Sequence, residues 1–269
     1  SSDVCSSDLK HLYKLAKNSY SIINLLFNIN LQNFLKLNSL MSTFILGATG
    51  LVGSQIVKVA ESSPAIKSIT TLTRRTPDFA NSSSKLKTLE ESDSSKWSEI
   101  IKSQAVSSDV YLSAFGTTRA KAGSAENFKK IDYGINYLSA KAAKENGSKV
   151  CVLVSSMGAN ASSPFLYMKT KGELEDDIIK LGFDHTVILR PGALLGERKE
   201  SHGLGNSIAQ TIGNWTKGTW LQGLLKPIDA SDVGKVAIDF AQKGINGELK
   251  DKVIIVGGDD LVKLANSLN

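Results

Sequence analysis

The sequence predicts an α/β domain: a doubly wound parallel sheet with helices on both faces and a small C-terminal substrate region. Three observations lead there. From residue 41 onward, short apolar runs alternate with longer helix-like stretches, the pattern of repeated strand–helix–strand units. The first apolar run opens into Gly47-Ala48-Thr49-Gly50-Leu51-Val52-Gly53 and then into a helix-like stretch. At 269 residues and 41% hydrophobic content, the chain can enclose one sizeable core.

Strands are expected at 43–46, 68–73, 87–89, 110–115, 149–155, 185–189 and 252–256, each a short apolar run. Helices are expected at 51–61, 95–103, 125–146, 167–181, 230–243 and 260–268. Parallel strands joined this way cross over right-handed, and a ligand belongs beyond the strands' carboxyl ends, near the switch point. The serine-rich stretch 81–85 reads as a surface loop. A Gly-rich stretch at 201–225, carrying Trp215 and Trp220, follows the core strands and places a substrate lid within 192–230. The expected domain is 41–269.

Residues 1–40 read differently. The first nine have no usable periodicity and resemble a translated sequencing-adapter fragment, and residues 10–40 contain no acid. A start at Met41 with an artefactual or leader segment upstream is the simplest reading. The alternative is a presequence, which Lys10, Lys14 and Lys17 suit, and which the missing arginines and many asparagines suit badly. Either way the segment is expected to lie outside the fold.

Composition narrows the function classes. The net charge of +6 and pI near 9.1 come from scattered lysines, with no basic run interleaved with aromatics, so no nucleic-acid interface is expected. The same balance would favour peripheral attachment to an anionic membrane surface. No apolar stretch reaches 18 residues, so no membrane span is expected. Cys5 and Cys151 imply no disulfide framework, and His11, His185 and His202 make no metal spacing with them.

The glycine turn is the first chemical signal. A strand, a glycine turn and a helix make a phosphate cradle: glycine permits the tight bend and close approach, and free N–H groups at the helix start face the anion. Gly47, Thr49, Gly50, Leu51, Val52 and Gly53 are therefore cofactor-binding candidates. The second strand ends in Arg74-Arg75 rather than in an acid. NAD-binding versions use an acid there for the ribose 2′-OH, whereas paired guanidiniums suit the 2′-phosphate of NADP(H). Phe115 and Gly116 are expected beside the cofactor's riboses, and Thr117 is added to them, although Thr117 and Arg119 fit a loop cap equally well.

Tyr167 and Lys171 stand four apart, one turn apart on one helix face. An ammonium beside a phenol favours the phenolate, so Tyr167 is the candidate proton donor and Lys171 its partner, with the ribose hydroxyls as a second task. The preceding strand ends in Ser155-Ser156. Ser156 is the candidate hydroxyl for a reacting carbonyl oxygen, with Ser155 in reserve. After Leu189-Arg190-Pro191-Gly192 the chain turns, and backbone from Gly192 to Leu194 is expected at the nicotinamide.

Taken in order, these residues resemble the atypical or extended branch of the short-chain dehydrogenase/reductase superfamily. The stretches 115–123 (FGTTRAKAG) and 165–173 (FLYMKTKGE) resemble the Tat-interactive-protein-like group, including a fungal member of the mitochondrial outer membrane. The resemblance implies a Rossmann-like fold, NADPH as cofactor, Tyr167 as general acid, and a peripheral mitochondrial outer-membrane location, with the cytoplasm as alternative. Many such relatives pair as homodimers through long helices. Two positions depart from the typical pattern: the catalytic serine aligns with Ser156 or Met157, and Asp132 stands where typical members carry Asn.

The expected function is an NADPH-dependent reductase of a small carbonyl compound. The alternative is an NADP(H)-sensing binding protein with little or no catalysis. A sugar-nucleotide epimerase with tightly held NAD is a third reading, against which Arg74-Arg75 counts.

Overall fold

Seven parallel strands form one sheet in the order β3-β2-β1-β4-β5-β6-β9. They are β1 (Met41–Leu46), β2 (Ile66–Thr73), β3 (Leu86–Glu90), β4 (Val110–Ser113), β5 (Val150–Val154), β6 (His185–Arg190) and β9 (Val253–Gly257). The computed structural model describes residue 17 and residues 40–103, 107–196 and 227–269, and residues 40–269 make one unit. All seven expected strands are present, and the doubly wound parallel architecture of the sequence reading holds.

The strand order runs outward in both directions from the β1/β4 pair, where Leu46 lies opposite Ser113. That is the switch point, and the space beyond these two residues is where an open α/β sheet binds ligand.

Side-chain alternation builds the two layers. On β5, Val150, Val152 and Val154 join Ile45, Val187 and the apolar stripes of α1 (Leu51–Ser62), α7 (Ala230–Ile245) and α8 (Gly258–Ser267). Cys151 and Leu153 point the other way, to Phe44, Leu46 and helices α2 (Trp97–Ser103), α5 (Asn136–Glu145) and α6 (Leu166–Lys180). Burial on both faces explains why β5 reads as an unbroken apolar run. Each such side chain contributes about 1.5–3 kcal/mol. α7 lies close on α1 because Gly234 has no side chain: a Cβ there would sit 3.2 Å from the backbone of Gln55 and Ile56.

Three local features differ from the sequence reading. The fourth strand ends at Ser113, two residues early, because the chain at Ala114–Phe115 turns to pack against Gly47. The helix expected across 125–146 is divided into α4 (Ala125–Lys129), a π-helical segment Lys130–Ile135, and α5, preceded by a one-turn α3 (Arg119–Ala122). Asn136 Nδ2 donates to the Asp132 carbonyl at 2.9 Å, giving the wider turn a side-chain donor. A parallel pair, β7 (Leu194–Leu195) with β8 (Ile228–Asp229), was not expected at all. The lid call of 192–230 falls mostly outside the described residues; only its two ends are described, and these carry β7 and β8.

Candidate active site

The glycine turn sits at the end of β1 and feeds α1. Gly47 has φ +82°, a left-handed conformation costly for any side chain. A Cβ on Gly47 would lie 2.6 Å from Phe115 N, and one on Gly53 only 2.0 Å from the Gly47 carbonyl oxygen. Two positions therefore need glycine for packing alone. Gly50 is the N-cap of α1, no side chain caps the helix, and no acid lies in its first turn. Leu51, Val52 and Gly53 form that first turn, and Thr49 and Gly50 are exposed beside it. The turn is left open to an anion, which the positive end of a helix favours.

Around this cradle stand the other candidates. Arg74 and Arg75 are exposed just past the end of β2, and Thr73 Oγ1 donates to the Arg75 carbonyl at 2.9 Å. Phe115 turns its ring onto Trp97, with centroids 5.4 Å apart, so only its backbone borders the cradle. Leu194 is half-buried in β7. Next to it, a Cβ on Gly196 would lie 3.0 Å from Leu51 Cδ1, which places β7 beside the start of α1.

Lys171 is the centre of the other half. Its Nζ is 2.6 Å from Asp132 Oδ1, and both side chains are buried. Asp132 Oδ2 accepts the Thr117 N–H at 2.7 Å. Gly116 passes directly over the pair: a Cβ there would come within 3.0 Å of Asp132 Oδ1 and 3.2 Å of Lys171 Nζ. Burial pulls the Lys171 ammonium down, but the charge of Asp132, then that of Tyr167, outweighs it, and Lys171 titrates above the ordinary lysine value. Lys171 Nζ also lies over the Tyr167 ring, 6.0 Å from its centroid. Tyr167 is 43% exposed and touches Phe128, ring centroids 5.9 Å apart. The sequence reading paired Lys171 with Tyr167 alone; the structure adds Asp132 as its nearest anion.

At the end of β5, the Ser156 hydroxyl is half-buried and donates to the Met157 carbonyl at 3.3 Å. Ser155 Oγ is buried with no hydrogen-bond partner among the described residues. Strand alternation aims Ser155 at the same sheet face as Cys151 and Leu153, the face of α5 and α6.

Sequence reasoning missed two groups that hold this half together. Asn136 Nδ2 donates to the Phe115 and Asp132 carbonyls, both at 2.9 Å, and its Oδ1 accepts from Ser113. Glu175, one turn past Lys171, is buried and takes the Arg190 guanidinium, Nε lying 3.1 Å from each carboxylate oxygen and Nη2 also bonding. That contact raises Arg190 above its ordinary value and makes it the clamp between β6 and α6. The four-residue spacing of Asp132 and Asn136, two polar residues within the stretch expected to be helical, was the available signal. Among the described residues no cluster of His, Cys, Asp or Glu has metal-binding geometry.

The HIM1 family profile matches residues 76–217. The chain is 57% identical over 230 residues to the mitochondrial protein FMP52 of Lodderomyces elongisporus, covering 84% of this chain and 97% of that one. The chain belongs to the HIM1 family. It is also 48% identical to mitochondrial FMP52 of Debaryomyces hansenii, covering 85% of this chain and 100% of the relative. Among solved structures, a UDP-N-acetylglucosamine 4-epimerase from Methanobrevibacter ruminantium matches with TM-score 0.58 at 17% identity, over 84% of this chain and 80% of its own. A short chain dehydrogenase family protein from Francisella tularensis matches with TM-score 0.57 at 12% identity, over 83% and 99%. These structural likenesses establish that this HIM1-family chain has the Rossmann-like fold.

Proposed function

We propose that the protein is an NADP(H)-dependent reductase of a small carbonyl compound. The observation that carries this reading is the convergence, at the carboxyl ends of the central strands β1 and β4, of an open glycine cradle and a buried Lys171 beneath Gly116, with Tyr167 one turn before it. The start of α1 suits a dinucleotide's pyrophosphate: its N-cap is Gly50, no acid lies in its first turn, and Thr49 and Gly50 stand exposed beside it.

In this reading Gly47, Thr49, Gly50, Leu51, Val52 and Gly53 hold the pyrophosphate through backbone N–H groups. Arg74 and Arg75 take the 2′-phosphate by charge-assisted hydrogen bonds. Phe115, Gly116 and Thr117 line the path with backbone, and Leu194 closes the nicotinamide end. When bound, the cofactor supplies a hydride to the carbonyl carbon. Tyr167 gives its hydroxyl proton to the carbonyl oxygen, so that C=O becomes CH–OH, and its exposure lets solvent return the proton. Ser156, or the buried Ser155 beside it, donates to the same oxygen and steadies its developing charge. Lys171 orients the ribose and the phenol.

The test is calorimetric titration of NADPH and NADP⁺ into the purified chain, followed by NADPH oxidation across an aldehyde and ketone panel. Heat on both titrations and turnover lost in Tyr167→Phe are expected. No heat with either redox form overturns the cofactor assignment, and equal turnover in wild type and Tyr167→Phe overturns the proton donor.

We place the protein at mitochondria, following the names of its relatives, and peripherally at the outer membrane, following the family resemblance. No helix among the described residues is long and apolar enough to cross a membrane. Carbonate treatment of purified mitochondria should release it; recovery from the cytosol alone overturns the placement.

A further inference from the structure

The chain from Ala114 to Phe128 forms an arc with both ends at the candidate site. At its start, Ala114 and Phe115 pack on Gly47 of the cradle, and Gly116 and Thr117 pack on the Asp132–Lys171 pair. At its end, the Phe128 ring touches Tyr167, with centroids 5.9 Å apart. Between these anchors stands α3, a helical turn that buries none of its residues. Core packing therefore does not account for it.

The turn is nevertheless firmly built. Thr118 Oγ1 accepts the Lys121 N–H at 3.3 Å. Gly123, left-handed at φ +79°, donates its N–H to the Arg119 carbonyl at 3.0 Å. Asn127 Nδ2 donates to the Ala122 carbonyl at 3.3 Å, and Ser124 caps α4 by accepting the Asn127 N–H at 3.0 Å. Thr118 is thus the side-chain cap, and the Arg119 side chain has no part in holding the turn.

What α3 presents is charge. Arg119 and Lys121 are both exposed, and neither side chain makes an ion pair among the described residues. The next cations along the chain are engaged: Lys129 pairs with Glu173 at 2.9 Å, and Lys130 lies within charge range of Asp93. Glu126 is the one acid in the arc. Two unmatched cations on a backbone already fixed beside the site need only side-chain ordering to take an anion. Arg119 offers a planar fork for carboxylate or phosphate oxygens, and Lys121 a compact point charge.

We propose that Arg119 and Lys121 bind an anionic group, a carboxylate or a phosphate, carried by the carbonyl substrate. This rests on the reductase reading and names its substrate class: an oxo acid or a phosphorylated carbonyl compound rather than a neutral aldehyde or ketone.

The test uses matched pairs that differ in the anion: 4-formylbenzoate against its methyl ester, levulinate against its methyl ester, and 4-formylphenyl phosphate against 4-methoxybenzaldehyde. NADPH oxidation gives kcat/KM for each in the wild type and in Arg119→Gln with Lys121→Gln. At least one anion should exceed its neutral partner by about tenfold, within the reach of two exposed ion pairs. The advantage should shrink in about 0.5 M salt and disappear in the double variant, and each single variant should lose about threefold. Calorimetry with the corresponding alcohols, without NADPH, reads the same preference as a ratio of affinities. No anion advantage in any pair, or an advantage that survives in the double variant, overturns the proposal. An equal loss of NADPH affinity in the double variant also overturns it, because the cations then serve the cofactor. If no compound supports NADPH oxidation, the reductase reading fails, and the calorimetric ratio still decides the anion preference.

Discussion

Replacing Gly53 by alanine tests the cradle most directly. The added methyl would lie 2.0 Å from the Gly47 carbonyl oxygen, 2.7 Å from its carbon and 3.1 Å from Ala48 Cα. All three atoms are backbone, so no side chain can swing aside. Reaching ordinary contact requires the turn or the first turn of α1 to move by roughly 1–1.5 Å, and overpacking of this kind costs about 1–3 kcal/mol. For a domain of this size, that lowers the melting temperature by about 3–10 °C. The displaced N–H groups also lose a charge-assisted contact, a change of about 10- to 100-fold in NADPH affinity. Gly134→Ala is the control, because nothing lies within 4 Å of its added Cβ and its φ is outside the left-handed region. Differential scanning fluorimetry and NADPH calorimetry on both variants decide the matter. Wild-type melting and affinity in Gly53→Ala, or equal losses in Gly134→Ala, would refute the steric argument.

Three further outcomes are expected. Arg190→Met should destabilise more than Glu175→Leu, by about 3 kcal/mol against less, because the first strands a buried carboxylate while the second leaves a partly exposed guanidinium that water can reach; urea unfolding of both and of the double variant, which should recover much of the loss, checks this. The Tyr133 hydroxyl donates to Asp177 at 2.6 Å, and that hydrogen bond, with burial second, pushes Tyr133 up to about 12. A raised phenol loses its stabilising contribution as pH climbs from about 10, where the unfolded chain ionises, to about 12, so Tyr133→Phe should cost about 1 kcal/mol at pH 8 and flatten the fall in stability over that window. Arg74→Ala with Arg75→Ala should weaken NADPH binding about 10- to 100-fold and leave NADH binding nearly unchanged, as measured by fluorescence titration; equal loss for both cofactors would count against a 2′-phosphate role.

Periodicity and glycine placement by themselves determined the architecture. Seven apolar runs alternating with helical stretches admit few arrangements other than a doubly wound parallel sheet, because parallel strands need crossovers and crossovers have one hand. The glycine turn and the Tyr167–Lys171 spacing were legible for the same reason: each is local, and one strand end or one helix turn brings its members together. Only the tertiary structure decided what Lys171 faces, since Asp132 lies 39 residues away in sequence on a segment whose π-helical turn no periodicity announces. The Glu175–Arg190 clamp was hidden likewise, as was the difference between Ser155 and Ser156, because pairing and burial of polar groups depend on which elements pack together rather than on spacing along the chain.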